Sequence, residues 1–168
     1  MRLFSGFLAL LLCLSLSSCS AKRELHTAEI LADIMASCDG LPRGVIYTSG
    51  AEEGEEDYLS PALAEALWGE DAEEGFSMLC DYSVYLSSFA APYEIGVYRC
   101  YSATDAMRIE ELCRARADIV SVALRQTEYY SLCQNIRIYR KRRVVVFLMT
   151  DKPEDSLRYA KALVSRYG

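Results

Sequence analysis

The stretch Val144-Val145-Val146-Phe147-Leu148-Met149 decides the fold. Six consecutive apolar residues, four of them β-branched or aromatic, favour a strand. A strand with one face in water alternates apolar and polar side chains, whereas this segment is apolar on both faces. The pattern therefore predicts a central strand whose sheet is covered by other elements on both sides.

Further strand patterns lie before and after a long helical pattern. A predicted strand over 135–139 and the basic turn 140–142 precede the segment at 144–149, which indicates a hairpin. Residues 77–89 and 93–101 form a second predicted hairpin around Ala90-Ala91-Pro92. A short edge strand at 45–48 is a further candidate.

Helical periodicity follows each of the two hairpins. Apolar residues recur at helical spacing over 104–129, and the final helix begins near Pro153. The order strand-strand-helix-strand-strand-helix predicts an α+β fold with a four-stranded antiparallel sheet and both helices on one face. An additional N-terminal helix, starting at Thr27 as a cap, is expected to cover the other face.

The N-terminus has the pattern of a bacterial lipoprotein signal. Arg2 precedes an apolar run over 3–16, which is too short for an ordinary membrane-spanning helix. The run ends in Leu16-Ser17-Ser18-Cys19, which is similar to a lipobox, so Cys19 is the predicted lipid-attachment residue. We expect a signal peptide at 1–18, a lipid-anchored tether at 19–26 and a single α+β domain at 27–168. This organisation places the domain at the cell membrane, anchored through its lipid on the extracytoplasmic face.

Composition and charge define the class of protein. The 168 residues are 52% hydrophobic and 25% charged, which excludes wholesale disorder and collagen-like repeats. The charge is uneven: residues 39–81 hold twelve acids and one base, whereas residues 99–168 hold fourteen bases and eight acids. The two halves either neutralise each other within the fold or leave a polarised surface.

The sequence contains no recognisable catalytic motif. His26 is the only histidine and lies beside the predicted tether, which argues against a catalytic triad or a His-rich metal site in the domain. Nucleophile-elbow, P-loop and dinucleotide-binding patterns are absent from the sequence. We therefore expect a non-enzymatic binding module at the cell envelope, with no cofactor, metal or nucleic-acid partner. The alternative is a small envelope hydrolase or transferase using carboxylates or a cysteine.

The cysteines of the domain have no metal-binding or redox spacing. No two are arranged as C-x-x-C, and most occur in apolar contexts. We expect buried free thiols at Cys38, Cys80, Cys100, Cys113 and Cys133.

The tyrosines and one basic turn are the candidate binding surface. Tyrosine combines apolar area with a hydroxyl group, and exposed clusters of it are typical of surfaces that bind proteins, peptides or polymers. Tyrosine also fills sheet faces for purely structural reasons, and a basic turn is also typical of a solvated hairpin tip. The candidate residues are Tyr85, Tyr98, Tyr101, Tyr139, Arg140, Lys141, Arg142 and Arg143.

The chain resembles a lipoprotein family of the Firmicutes, domain of unknown function 4358. The resemblance covers residues 27–167 and rests on the lipobox, the Leu67-Trp68-Gly69 step, the hairpin that follows it, and the C-terminal strand and helix. The family usually continues this step as Leu-Tyr-Gly-Ile-Asp, whereas Glu70 stands here in place of the isoleucine. The resemblance implies membrane anchoring and an α+β architecture, and it implies no catalytic residue.

Overall fold

The computed structural model describes residues 26–88 and 92–167. The described strands are β1 (Gly44–Thr48), β2 (Leu79–Ser87), β3 (Glu94–Cys100), β4 (Arg137–Lys141) and β5 (Val144–Met149). The described α-helices are α1 (Thr27–Ala36), α2 (Pro61–Trp68), α3 (Ala72–Ser77), α4 (Ala103–Leu124), α5 (Tyr130–Gln134) and α6 (Pro153–Tyr167). A 3₁₀ turn at Gly69–Asp71 joins α2 to α3.

The strands form one antiparallel sheet in the order β1-β2-β3-β5-β4. The predicted α+β class and both hairpins are confirmed. The predicted number of four strands is one too low, because β1 pairs with β2 at the sheet edge, with Ile46 opposite Tyr85. This strand has five residues, and Gly44 and Ile46 are exposed, so it lacks the apolar signal of an interior strand.

The central strand is buried along its whole length, as predicted. Every residue of β5 is buried, with alternate side chains in two separate apolar cores. Val145, Phe147 and Met149 pack in one core with α4. Val144, Val146 and Leu148 pack in the other with α1 and α6.

The predicted placement of both helices on one face is wrong. Helix α4 covers one face with Ile109, Leu112 and Cys113, whereas α6 covers the opposite face with Ala160 and Val164. The physical reason lies in β5, whose two apolar faces both need cover. The N-terminal helix α1 lies on the predicted second face, where it packs beside α6.

A carboxylate from the sheet holds the start of α1. The Thr27 backbone N–H donates to Asp81 Oδ2 at 3.0 Å, and the Thr27 and Ser83 hydroxyl oxygens lie 3.0 Å apart. Ser49 Oγ donates to Asp81 Oδ1 at 2.8 Å, and Arg99 Nη2 lies 3.8 Å from Asp81 Oδ2. Thr27 is therefore not the helix cap expected from the sequence. The free N–H at this helix end is satisfied by Asp81, 54 residues further along the chain.

We expect Phe147→Ala to lower the free energy of unfolding by about 3–5 kcal/mol, because the substitution leaves a cavity in a strand that is buried on both faces. Phe147 is 1% exposed. Urea titration measures the loss. Met107→Ala on the outer face of α4, where the side chain is 53% exposed, is the control and should change stability by no more than about 0.5 kcal/mol. A loss below about 1 kcal/mol for Phe147→Ala would contradict the central position of β5.

Candidate functional site

A groove with a volume of about 710 Å³ lies between α2, α3 and β2. Its aromatic lining is Tyr58, Phe76 and Tyr82, and Leu59 and Ala72 add buried apolar surface. This volume lies within the range of pockets that hold small ligands or a short peptide segment. We refer to this cavity as the acidic groove, for the carboxylates described below.

Helix α2, on the outer side of the acidic groove, begins and ends at residues with clear local preferences. Ser60 caps α2 by accepting a hydrogen bond from the Leu63 backbone N–H at 3.3 Å, and Pro61 occupies the first turn. The helix ends at Trp68, and Gly69 follows it with a φ of +64°, a conformation that glycine adopts at little cost. This turn redirects the chain into α3, so that Phe76 faces the sheet.

Packed aromatic rings connect the acidic groove to the core. The Trp68 and Phe76 rings stack with centroids 4.4 Å apart, and Phe76 meets Tyr82 edge-on at 5.2 Å. On its other side Trp68 contacts Tyr98 at 5.1 Å. These contacts constrain the Phe76 and Tyr82 rings of the lining, since each packs against a neighbouring ring.

The rim of the groove is negatively charged. Glu65, Glu70 and Glu73 line it and are exposed, and the acidic loop 52–57 immediately precedes Tyr58. Burial, with a smaller contribution from Tyr58, raises the pKa of Tyr82 above 10.0, so its hydroxyl stays protonated at neutral pH. The site thus combines neutral aromatic surface with carboxylates, an arrangement that suits a ligand carrying positive charge.

Two tyrosines of the predicted binding surface are in the core. Tyr85 is 2% exposed and donates its hydroxyl to the Pro42 carbonyl oxygen at 2.6 Å. Tyr98 is 1% exposed and packs against Trp68 on the opposite face of the sheet. The prediction of a binding surface is wrong for both residues, because they occupy strands whose two faces are covered by helices.

The other predicted residues lie near the β4–β5 hairpin. Tyr101 is 63% exposed, whereas Tyr139 is half-buried with Lys161 Nζ 5.6 Å from its ring centroid. The predicted basic turn is shorter than expected, because Arg140 and Lys141 are paired in β4 and only Arg142-Arg143 form the turn. Of these four residues Lys141 is half-buried and the other three are exposed. The acidic groove contains none of the predicted surface residues, so sequence reasoning missed it. Its aromatic residues are 6 to 24 positions apart, and only the fold brings them together.

The described cysteines are free thiols, but Cys38 and Cys80 are half-buried, so the prediction of burial is wrong for these two. Burial raises the pKa of Cys100 to about 12 and that of Cys113 well above 9.0. Cys133 is also buried, and burial raises its pKa. The thiolate is the reactive form of cysteine, so these three side chains are suited to packing rather than to nucleophilic attack.

A second cavity, of about 340 Å³, contains a buried ion pair. The Glu94 side chain is 3% exposed, and its Oε2 accepts hydrogen bonds from Arg116 Nε at 3.2 Å and Nη2 at 3.0 Å. Arg116 also donates to the Ala66 carbonyl oxygen at 3.1 Å, which ties α4 to both α2 and the sheet. Among the described residues lining this cavity Glu94 is the one carboxylate, and glycosidic chemistry of the usual kind needs two.

Within residues 26–88 and 92–167, no three His, Cys, Asp or Glu side chains form a group that could hold a metal ion. In the same part of the chain, no helix combines the length and the apolar character needed to cross a membrane. Cys19 and the predicted signal and tether up to residue 25 lie outside the described residues.

Comparison of the chain with protein-family models, with curated proteins and with solved structures finds no match.

We expect the free energy of unfolding of the wild-type protein to fall, relative to that of the Glu94→Gln variant, as the pH rises. Burial raises the pKa of Glu94 above 4.5 despite the opposing effect of Arg116. The folded state therefore binds the proton more tightly than the unfolded state, and this contribution to stability is complete below pH 4.5. It is lost as the pH rises through the pKa of the folded state.

Urea unfolding of both proteins between about pH 4 and pH 7 measures the difference. Glu111→Gln is the control, because Glu111 is exposed on the same helix and pairs with Arg108 at 3.4 Å. Its unfolding free energy should follow the wild-type curve. Parallel curves for wild type and Glu94→Gln would show that the pKa of Glu94 is not raised on folding.

Proposed function

We propose that this protein is a lipid-anchored, extracytoplasmic binding module of a bacterial cell envelope. The acidic groove is the observation that carries the binding role, because it combines a preformed cavity, aromatic surface and three carboxylates. The lipobox pattern at residues 16–19 supports the anchor. The raised pKa of the buried thiols of Cys100, Cys113 and Cys133 and the pairing of Glu94 with Arg116 support a non-enzymatic role.

The partner that fits the acidic groove best is a basic segment of a peptide or protein. Lysine and arginine side chains pair with carboxylates, and their charged groups are attracted to aromatic faces. The carboxylates are supplied by Glu65, Glu70 and Glu73. The aromatic faces are supplied by Phe76 and Tyr82. Between 58 and 82, the described residues that line the groove include no lysine or arginine to compete for these carboxylates.

Glu65→Gln combined with Glu73→Gln should weaken binding of a tetralysine probe roughly fivefold, since each exposed ion pair contributes about 0.2–1 kcal/mol. Isothermal titration calorimetry at low salt measures the affinity. The double variant Asp33→Asn and Asp155→Asn changes the net charge equally but lies on α1 and α6, so it should bind the probe as the wild type does.

Tetraglutamate is the probe of opposite charge and should not bind. Equal affinity of the groove variant and the control variant for tetralysine would show that net charge, not the acidic groove, attracts the peptide. Binding of a neutral oligosaccharide in preference to tetralysine would replace the basic partner with a sugar polymer stacked on the aromatic lining.

Cys19→Ala should release the protein from lipid attachment, because the thiol of Cys19 is the predicted acceptor of the lipid. Cell fractionation with antibody detection measures the membrane-bound share, and metabolic labelling with a fatty-acid analogue measures the modification. Cys13→Ala, within the apolar run, is the matched control and should keep both the label and the membrane location. Labelling of Cys19→Ala at the wild-type level would refute the assignment of the lipid site.

A further inference from the structure

The second cavity lies between one end of the sheet and the C-terminal half of α4. Glu94 on β3 pairs with Leu86 on β2 and with Met149 on β5, and these three residues line the cavity on its sheet side. Ile119 and Ala123, both exposed on α4, line the side that opens to solvent. The described residues that line this cavity do not line the acidic groove, so the two sites are separate.

The Glu94 carboxylate has one oxygen without a donor from the protein. Both hydrogen bonds from Arg116 reach Oε2, and in the described part of the chain no group donates to Oε1. The Glu94 side chain is 3% exposed, and a buried acceptor that lacks a donor is unfavourable. Because Glu94 lines the cavity, a molecule bound there can donate a hydrogen bond to Oε1.

The ion pair selects against a charged ligand. Glu94 and Arg116 are the two charged residues among the described residues that line the cavity, and their charges offset each other. A cation bound to Glu94 would lie close to the Arg116 guanidinium, and an anion bound to Arg116 would lie close to the Glu94 carboxylate. An uncompensated charge in a largely apolar cavity is costly. The ligand that fits is therefore neutral, and its hydrogen-bond donor is an uncharged group.

The rest of the lining suits a small aromatic ring. Met149 is 1% exposed, and a thioether sulfur makes favourable contacts with aromatic rings. Tyr93 adds a ring of its own, which is held by a hydrogen bond from its hydroxyl to Asp151 Oδ2. The volume of about 340 Å³ is at the lower end of the range for ligand pockets, so the ligand is small. The remaining apolar residues of the lining are Leu86, Pro92, Ile119, Val120, Ala123 and Leu124.

We propose that this cavity binds a small, neutral aromatic molecule whose single N–H or O–H group donates a hydrogen bond to Glu94 Oε1. The apolar walls hold the ring, and the buried carboxylate fixes its orientation. Arg116 holds Glu94 through Oε2, so Oε1 is already in place as an acceptor before the ligand binds. This proposal does not depend on the binding of a basic peptide in the acidic groove.

Indole and benzofuran are a matched pair of probes for the hydrogen bond. The two bicyclic molecules have nearly the same shape, but indole has an N–H donor where benzofuran has an ether oxygen. We expect indole to bind, and benzofuran to bind at least about tenfold more weakly, because benzofuran cannot donate to the Glu94 carboxylate. Titrations of the full-length protein in phospholipid nanodiscs, with ¹³C-labelled methionine methyl groups, measure both affinities by NMR.

The Met149 methyl resonance reports occupancy, because an aromatic ring in the cavity changes the chemical shift of a methyl group that lines it. The change should saturate as indole is added. Met107, exposed on the outer face of α4, and Met35, which packs against the opposite core, are internal controls and should not change. Unsaturated changes of Met107 and Met149 together would show non-specific partitioning and overturn the site.

Ala123→Phe should abolish the indole-dependent change at Met149, because the added ring occupies the exposed mouth of the cavity. Ala115→Phe is the matched control and should retain the change, since Ala115 is also exposed on α4 but is not among the described residues that line the cavity. An unchanged Met35 resonance verifies that each variant is folded.

Two results would contradict the proposal in different ways. Retention of the Met149 change in Ala123→Phe would place indole outside this cavity. Equal affinity of the wild type for indole and benzofuran would overturn the hydrogen bond to Glu94.

Discussion

Burial of β5 on both faces is the constraint on which the rest of the structure depends. A strand with no polar side chain is stable in water only if helices cover both sides of its sheet. Helix α4 supplies one cover as it crosses from β3 to β4, and α6 supplies the other after β5 ends. Helix α1 completes the second layer, and Asp81 holds its first turn against the sheet.

The helix cover on both faces of the sheet also determines which tyrosine and cysteine side chains are accessible to a ligand. Tyr85 and Tyr98 are buried because they lie on opposite faces of a sheet that helices cover on both sides. Cys100 and Cys113 are buried on the side of α4. The aromatic surface open to a ligand comes instead from Tyr58, Phe76 on α3 and Tyr82 on β2, beside the helix layer that contains α4. There Trp68 links the core to Phe76 and the acidic groove.

The strand order separates charge that is already uneven along the sequence. The acidic half of the chain contributes β1 and the helices around the acidic groove, and the basic half contributes β4 and its turn. These strands occupy opposite edges of the sheet, but Thr48 at the end of β1 and Lys141 at the end of β4 lie at the same end of it. Ion pairs such as Arg140 with Glu110 and Arg116 with Glu94 neutralise part of the charge locally. The proposed peptide groove uses part of the charge that remains.

The sequence alone determined the α+β class, both hairpins and the central position of residues 144–149, because those features depend on local hydrophobic periodicity and turn residues. It also contained the lipobox pattern at Cys19, which is read without reference to the fold. Only the tertiary structure decided that α4 and α6 lie on opposite faces, since both helices carry the same kind of apolar stripe. Only the tertiary structure brought Tyr58, Phe76 and Tyr82 into one groove, because their contacts depend on the turn at Gly69 and on strand register, which local periodicity does not encode.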